Sequence, residues 1–302
     1  MTIRTRPLNF KLSQLRQGHE AISSELVFVG LVVIWGITFV FSRDALQVVG
    51  PFAYNTTRML LGAVTLVILA GPHWKVINRA YLRPSLVTGA VLFVSYATQA
   101  YGQQFTTASK AGFLTGTSLV YVPIFSALFL RRVPGRFAVI GVGLAFIGLA
   151  LLSVQGKWEE LALAQGDLFV ALSGVGWAFY IIILAYYSPH LSILPFAALH
   201  VLIAALMNGV SWGLIEPLYL PLNSAALWLG VLTTGFLILG LGTSIQTWVT
   251  RWASPTRVGL IAAMEPLFAG LAGWWVGETI TLPIILGGTL IISGVLISEI
   301  RK

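Results

Sequence analysis

The chain contains no cysteine, which excludes disulfides, thiolate metal sites and a cysteine nucleophile. Charge is scarce: Asp, Glu, Lys and Arg make up 9% of the 302 residues, against about 25% in an ordinary soluble domain. Acidic residues are scarcest, ten against eighteen Lys and Arg. The nucleotide-binding pattern Gly-x4-Gly-Lys-Ser/Thr is absent, so ATP hydrolysis by that route is excluded. HExxH, a GxSxG on a span and paired intramembrane aspartates are also missing, since Asp44 and Asp167 fall at span ends; this argues against a membrane-embedded enzyme. No cofactor or metal is expected. No secretory signal is expected either, because residues 1–24 are polar and basic with no apolar stretch before a cleavage site.

What is present is apolar. Hydrophobic residues are 57% of the chain and the mean hydropathy is +0.88. The apolar runs are about 18–25 residues long, enough to cross ~30 Å of hydrocarbon as helix, whereas barrel strands would be near ten residues and alternate in polarity. Ten spans are predicted: 25–43, 52–70, 84–104, 109–130, 137–154, 167–188, 195–214, 224–248, 256–276 and 282–299. Gly50-Pro51, Gly71-Pro72, Pro134-Gly135, Pro189 and Pro217 mark breaks between them. Between the third and fourth spans the chain must turn tightly from Gln103 to Lys110.

Loop charge predicts sidedness. With the N-terminus inside, fourteen Lys and Arg fall in cytoplasmic segments, three (Arg43, Lys110, Lys157) fall outside, and Arg58 lies within a span. Both termini are therefore expected in the cytosol and the chain in the inner membrane; the net charge of +8 reads as this bias rather than as a nucleic-acid signal. Residues 1–24 read as a cytosolic arm on anionic lipid with no fold of its own.

The chain also echoes itself. Trp35-Gly36 returns as Trp177-Ala178 at an offset of 142, and Pro123-Ile124-Phe125 as Pro266-Leu267-Phe268 at 143. Gly141, Leu144 and Gly148 return as Gly287, Leu290 and Gly294 at 146. The expected organisation is a first five-span repeat at 25–154, a linker at 155–166, a second repeat at 167–299 and a cytosolic end at 300–302. An odd number of spans per repeat turns one upside down relative to the other. The expected fold is thus an all-α integral membrane protein of ten transmembrane helices in two inverted five-helix repeats, with the substrate site where the halves meet.

Polar residues inside the spans are the site candidates, since lipid offers them no partner. Trp35, Thr38, Phe39 and Ser42 share one helical face, as do Tyr96, Gln99 and Gln103, and Thr117 and Tyr121. Ser173, Trp177 and Tyr180, and then Thr243, Gln246, Thr247 and Thr250, are their counterparts in the second repeat. Trp35, Thr38, Ser42, Tyr96, Gln99, Thr117, Tyr121, Trp177, Tyr180 and Gln246 are the expected cavity lining. The competing reading is that the serines and threonines bond their own helix carbonyls.

Three ionisable residues stand out. Glu265 lies eight residues beyond Arg257, roughly 12 Å into the ninth span. It reads as a proton-coupling or gating carboxylate, Arg58 as an anchor for an anionic group, and His200 as its counterpart at an offset of 142. Alternatively all three link helices, with Arg58 snorkelling outward. Pro123 and Pro266 free backbone carbonyls inside spans four and nine and are expected hinges, with a static kink as the rival.

Trp35-Gly36-Ile37-Thr38-Phe39, Arg58, the run Gln104 to Phe113, Tyr121-Val122-Pro123, Glu265-Pro266 and Trp275-Val276-Gly277-Glu278 carry a family likeness in order and spacing. From Leu26 to Glu299 the chain resembles the EamA-type members of the drug/metabolite transporter superfamily. The resemblance implies a secondary carrier, commonly an exporter, with a central cavity between two five-span repeats. One departure is that Arg131-Arg132-Val133-Pro134 stands near where Gly277-Glu278 would be echoed, so the two ends are not expected to be equivalent. The expected function is export of small metabolites, amino acids or similar amphipathic solutes, by alternating access, proton-coupled or exchanging. The expected partners are a small-molecule substrate, the bilayer and protons, without nucleic acid, for a monomer. Other small solutes such as drug-like compounds, sugars or nucleosides, a channel, and a non-transporting scaffold are the alternatives.

Overall fold

Backbone immersed in hydrocarbon must bond to itself, and helix is the local solution. The computed structural model describes residues 8–106, 108–154, 165–275, 281–298 and 300, and no strand occurs among them. The expected linker 155–166 lies outside the described residues except for Gln165 and Gly166, as do residues 1–7 and Gly277-Glu278, and of Phe39 only the backbone is described.

The helices in chain order are α1 Leu8–Leu46, α2 Pro51–Ala70, α3 Arg79–Gln103, α4 Ala108–Gly116, α5 Ser118–Leu130, α6 Arg136–Val154 and α7 Gln165–Tyr187. They continue with α8 Ile193–Ile215, α9 Ala225–Val231, α10 Thr243–Trp252, α11 Pro255–Ala262, α12 Glu265–Trp275 and α13 Leu282–Ser298. A π-helical stretch, Leu232–Gly242, joins α9 to α10. Pro51 starts α2 at a position where its missing N–H costs nothing, and Gly71 ends it with a positive φ of 45°. Between α3 and α4 the chain turns within a few residues, through bonds from Gln104 N to Tyr101 O and Phe105 N to Gly102 O.

Seven helical segments among the described residues are long and apolar enough to cross a membrane: Glu20–Leu46, Pro51–Val76, Lys110–Leu130, Arg136–Ser153, Gln165–His190, Ile193–Ile215 and Ala225–Trp252. Three expected spans are different. The third lies in α3, whose Tyr96, Gln99 and Gln103 dilute its hydropathy; the ninth is divided between α11 and α12; the tenth is the shorter apolar α13. One expectation is overturned. Residues 8–24, read as having no fold, form the start of α1. No proline follows Pro7 until Pro51, and the single Gly18 is too weak a breaker to stop a run of good helix formers.

Polarity is arranged inside out relative to a water-soluble domain. Ile68 and Leu168 are 72% and 76% exposed, while Asn55, Thr88, Ser173, His200 and Thr247 are fully buried. Helices cross where small residues allow it. A Cβ on Gly148 would lie 2.5 Å from the Gly287 carbonyl oxygen, and one on Gly287 equally close to that of Gly148. Gly141 and Gly294 meet in the same reciprocal way seven residues along, so α6 and α13 run antiparallel.

A second antiparallel pair is α2 with α8, which brings Glu216 at the end of α8 to the start of α2. Its carboxylate accepts from Phe52 N and Ala53 N, both at 2.9 Å, and so satisfies two of the four N–H groups that a helix start leaves open. Glu216→Ala is expected to lower stability by about 1–2 kcal/mol, read as a drop in the thermal unfolding midpoint of purified protein. An unchanged midpoint would mean that water caps α2 equally well.

Candidate functional site

Arg58 sits on the second turn of α2, three residues past Asn55 and four past Tyr54, so all three share a face. It does not snorkel, being 6% exposed. Its Nε and Nη2 donate to Asn55 Oδ1 at 3.1 and 2.6 Å, and Asn55 Nδ2 donates to the Tyr96 carbonyl of α3 at 3.2 Å. The guanidinium carbon lies 4.6 Å from the Tyr54 ring centre and 4.4 Å from that of Tyr96. Two aromatic faces and one amide therefore fix the cation, with no carboxylate paired to it among the described residues. Tyr54 is held in turn by hydroxyl contacts to Ser42 Oγ at 3.1 Å and Thr234 Oγ1 at 2.9 Å.

From Tyr96 a ladder of rings crosses into α7 and α8. Trp177 meets Tyr96 edge-on at 4.7 Å and Tyr180 at 5.8 Å. The Tyr180 hydroxyl is 3.0 Å from His200 Nε2, and both side chains are buried. Arg58, Tyr96, Trp177, Tyr180 and His200, drawn from four helices, thus form one continuous chain of contacts.

Glu265 opens α12 and is half-buried, with no hydrogen bond or ion pair for its carboxyl among the described residues. The Tyr96 phenol is within electrostatic reach of both Arg58 and Glu265. Gly36 positions this end of α12 against α1, because a Cβ there would lie 2.7 Å from Ala269 N and 2.8 Å from the Glu265 carbonyl oxygen. Trp35, next to it, meets Phe28 edge-on at 5.6 Å and borders the same apolar cluster as Tyr121, Phe125 and Phe268. Among the described residues the indole N–H groups of Trp35 and Trp177 are both buried without a partner, and Gln246 is buried as well. These open donors, one carboxyl and one arginine are what the site offers a ligand.

Two sequence matches now place the protein. Residues 22–154 and 164–299 each match the EamA-like transporter family. The chain belongs to that family. Among relatives, an uncharacterized transporter of Archaeoglobus fulgidus is 27% identical, covering 99% of this chain and 94% of its own length. The uncharacterized transporter YoaV of Bacillus subtilis is 25% identical over 89% of this chain and 94% of its own. A solved crystal structure with 17% identity aligns at a TM-score of 0.78 over 92% of this chain and 96% of that one, a likeness of fold alone. This EamA-like protein is thus a multi-pass membrane transporter.

Other predicted site residues of the EamA-like chain have local partners. Thr38 is held by the Ile34 and Trp35 carbonyls of its own helix at 2.9 and 3.1 Å, Thr117 by Leu114 O at 2.5 Å, and Ser42 by Tyr54. Gln99 reaches Thr115 Oγ1 at 3.3 Å and so ties α3 to α4. The helix breaks do not coincide with the prolines. Span four divides at Thr117, six residues before Pro123, and span nine at Ala263-Met264, just before Pro266.

Sequence reasoning missed Tyr54 and Asn55, although their spacing from Arg58 was visible. It also missed two ties between helices, Lys110 Nζ with Asp167 at 2.5 Å and Arg257 Nη2 with Glu25 at 2.7 Å. Both join residues far apart in the chain, and no local pattern signals them.

Proposed function

We propose that the protein is a secondary carrier exporting small zwitterionic or amphipathic metabolites, amino acids foremost, by alternating access across the inner membrane. In this reading the chain has ten spans in two inverted repeats with both termini cytosolic. The antiparallel crossings of α6 with α13 and of α2 with α8 support the inversion, because each pair joins matching segments of the two halves.

One observation carries the substrate class. Arg58 and Glu265 are ionisable groups of opposite sign inside the bundle, neither ion-paired among the described residues, and both within electrostatic reach of Tyr96. Unpaired charge in such surroundings costs several kcal/mol. A solute bringing a carboxylate to Arg58 and an ammonium toward Glu265 supplies both missing partners at once. The open indole N–H groups of Trp35 and Trp177 add donors for its oxygens, and the rings make an apolar wall. The breaks at Thr117 and at Ala263-Met264 divide spans four and nine near this region and are the proposed points of flexure. With the sidedness read from loop charge, Glu25–Arg257 closes the inner end and Lys110–Asp167 the outer.

The test is uptake of labelled amino acids into proteoliposomes containing the purified chain. Saturable flux, accelerated by the same unlabelled solute on the far side, is expected. No flux of any member of a broad metabolite panel, from folded protein, overturns the reading. Large unitary currents in a voltage-clamped bilayer would identify a channel instead.

Glu265→Gln tests the coupling role separately. The variant is expected to lose flux driven by a pH gradient while retaining solute exchange. Unchanged pH-driven flux in Glu265→Gln removes the carboxyl from coupling.

A further inference from the structure

A second concavity lies apart from the Arg58 site. The 3-10 turn Gly71–Val76, the first turn of α8 and the face of α10 enclose about 350 Å³, lined by His73, Leu194, Pro195, Ser244, Ile245 and Trp248. Its walls are mostly apolar, and its polar side chains are His73 on the turn, Ser192 at the cap of α8 and Ser244 on α10. His73, Lys75 and Arg79 are all exposed along this short segment, and Arg251 stands one turn beyond Trp248 on α10. Arg251 is committed to the chain itself, since Nε and Nη2 donate to Ser188 O and Nη2 also to Leu191 O.

The charge here is one-sided. No Asp or Glu occurs in residues 45–158, 168–215 or 217–264, so none of the three elements forming the groove carries a carboxylate. Lys110 and Arg257, by contrast, are answered from within, by Asp167 and Glu25. At this groove the surrounding elements offer no such carboxylate, and the exposed cations are open to an anion from outside. We propose that it is a site for an anionic phospholipid, one acyl chain against Leu194, Ile245 and Trp248 and the phosphate among His73, Lys75 and Arg79. A zwitterionic lipid would fill the apolar walls but leave the cations unbalanced, and a soluble anion would leave the walls empty. Lys and Arg at the ends of spans attract anionic headgroups at about 1 kcal/mol each, so Lys75 and Arg79 favour an anionic lipid, and the His73 ring adds a polar contact for its headgroup.

The experiment compares dioleoyl phosphatidylglycerol with dioleoyl phosphatidylcholine, added at equal mole fraction to the purified full chain in a neutral detergent, by thermal unfolding. Phosphatidylglycerol is expected to raise the midpoint more. That difference should fall by at least half in H73Q/K75Q/R79Q and should survive in R131Q/R132Q/R136Q, an equal loss of exposed charge away from the groove. Ser244→Phe, which fills the groove without touching a charge, should lose the difference as well. The proposal is overturned if both lipids act alike on the natural chain, if the preference survives H73Q/K75Q/R79Q, or if both triple variants lose it equally. It is also overturned if folded Ser244→Phe keeps the full preference. Should that variant not fold, the two charge variants decide, since all six side chains are exposed.

Discussion

Arg58→Lys is expected to reduce solute flux by about 10- to 100-fold, the loss that follows when charge-assisted hydrogen bonds of 1.5–3 kcal/mol are no longer made. The substitution keeps the charge and discards the geometry. A lysine ammonium cannot present two donors in one plane to Asn55 Oδ1, nor offer a planar cation to the Tyr54 and Tyr96 rings as the guanidinium does. The released ammonium would swing away from the position where a substrate carboxylate meets it. The measurement is initial flux of whichever amino acid the natural chain carries, with its saturation constant, in proteoliposomes of matched protein content. A higher saturation constant with little change in maximal rate is the expected form of the defect. Full activity in Arg58→Lys would show that a positive charge suffices there and that the tyrosine clamp is only packing.

The second large effect is structural. Gly148→Ala adds a single carbon 2.5 Å from the Gly287 carbonyl oxygen, closer than non-bonded atoms tolerate, and the obstacle is backbone that cannot rotate aside. Overpacking of this kind costs about 1–3 kcal/mol, and α6 must separate from α13 to relieve it. Gly143→Ala on the same helix is the control, because a Cβ there meets nothing within 4 Å. With helix propensity favouring Ala over Gly by about 1 kcal/mol, Gly143→Ala should be neutral or stabilising. Thermal unfolding and the monodisperse fraction on size exclusion distinguish them. Equal behaviour of the two variants would mean that the crossing is looser than its geometry.

The glycine echo illustrates what a sequence carries and what it conceals. Gly141 and Gly148 answer to Gly287 and Gly294 as a repeat, and that much is read directly along the chain. That the two pairs touch each other, reciprocally and head to tail, belongs to the three-dimensional arrangement. Similarly, Arg58 and Glu265 stand out because ionisable residues in apolar runs need a reason. Their neighbours do not stand out, since the rotation of each helix about its axis is set by packing. The same limit explains Thr38 and Thr117: a hydroxyl on the right face of a span can line a cavity or bond its own helix carbonyl, and only the three-dimensional structure separates the two.

Sequence by itself determined the class: no cysteine, little charge and long apolar runs leave helices in a bilayer, because hydrophobic length and backbone satisfaction are local constraints. It also determined which side chains had to be explained. Tertiary structure alone decided that Tyr54 and Tyr96 clamp Arg58, that Trp177 and Tyr180 carry the contact on to His200, and that spans four and nine break before their prolines. The contacts that join the helices, Arg58 with Tyr96, Tyr96 with Trp177 and Tyr180 with His200, link residues about 20 to 80 positions apart. Their energies come from how helices seat against one another, which no window along the chain contains.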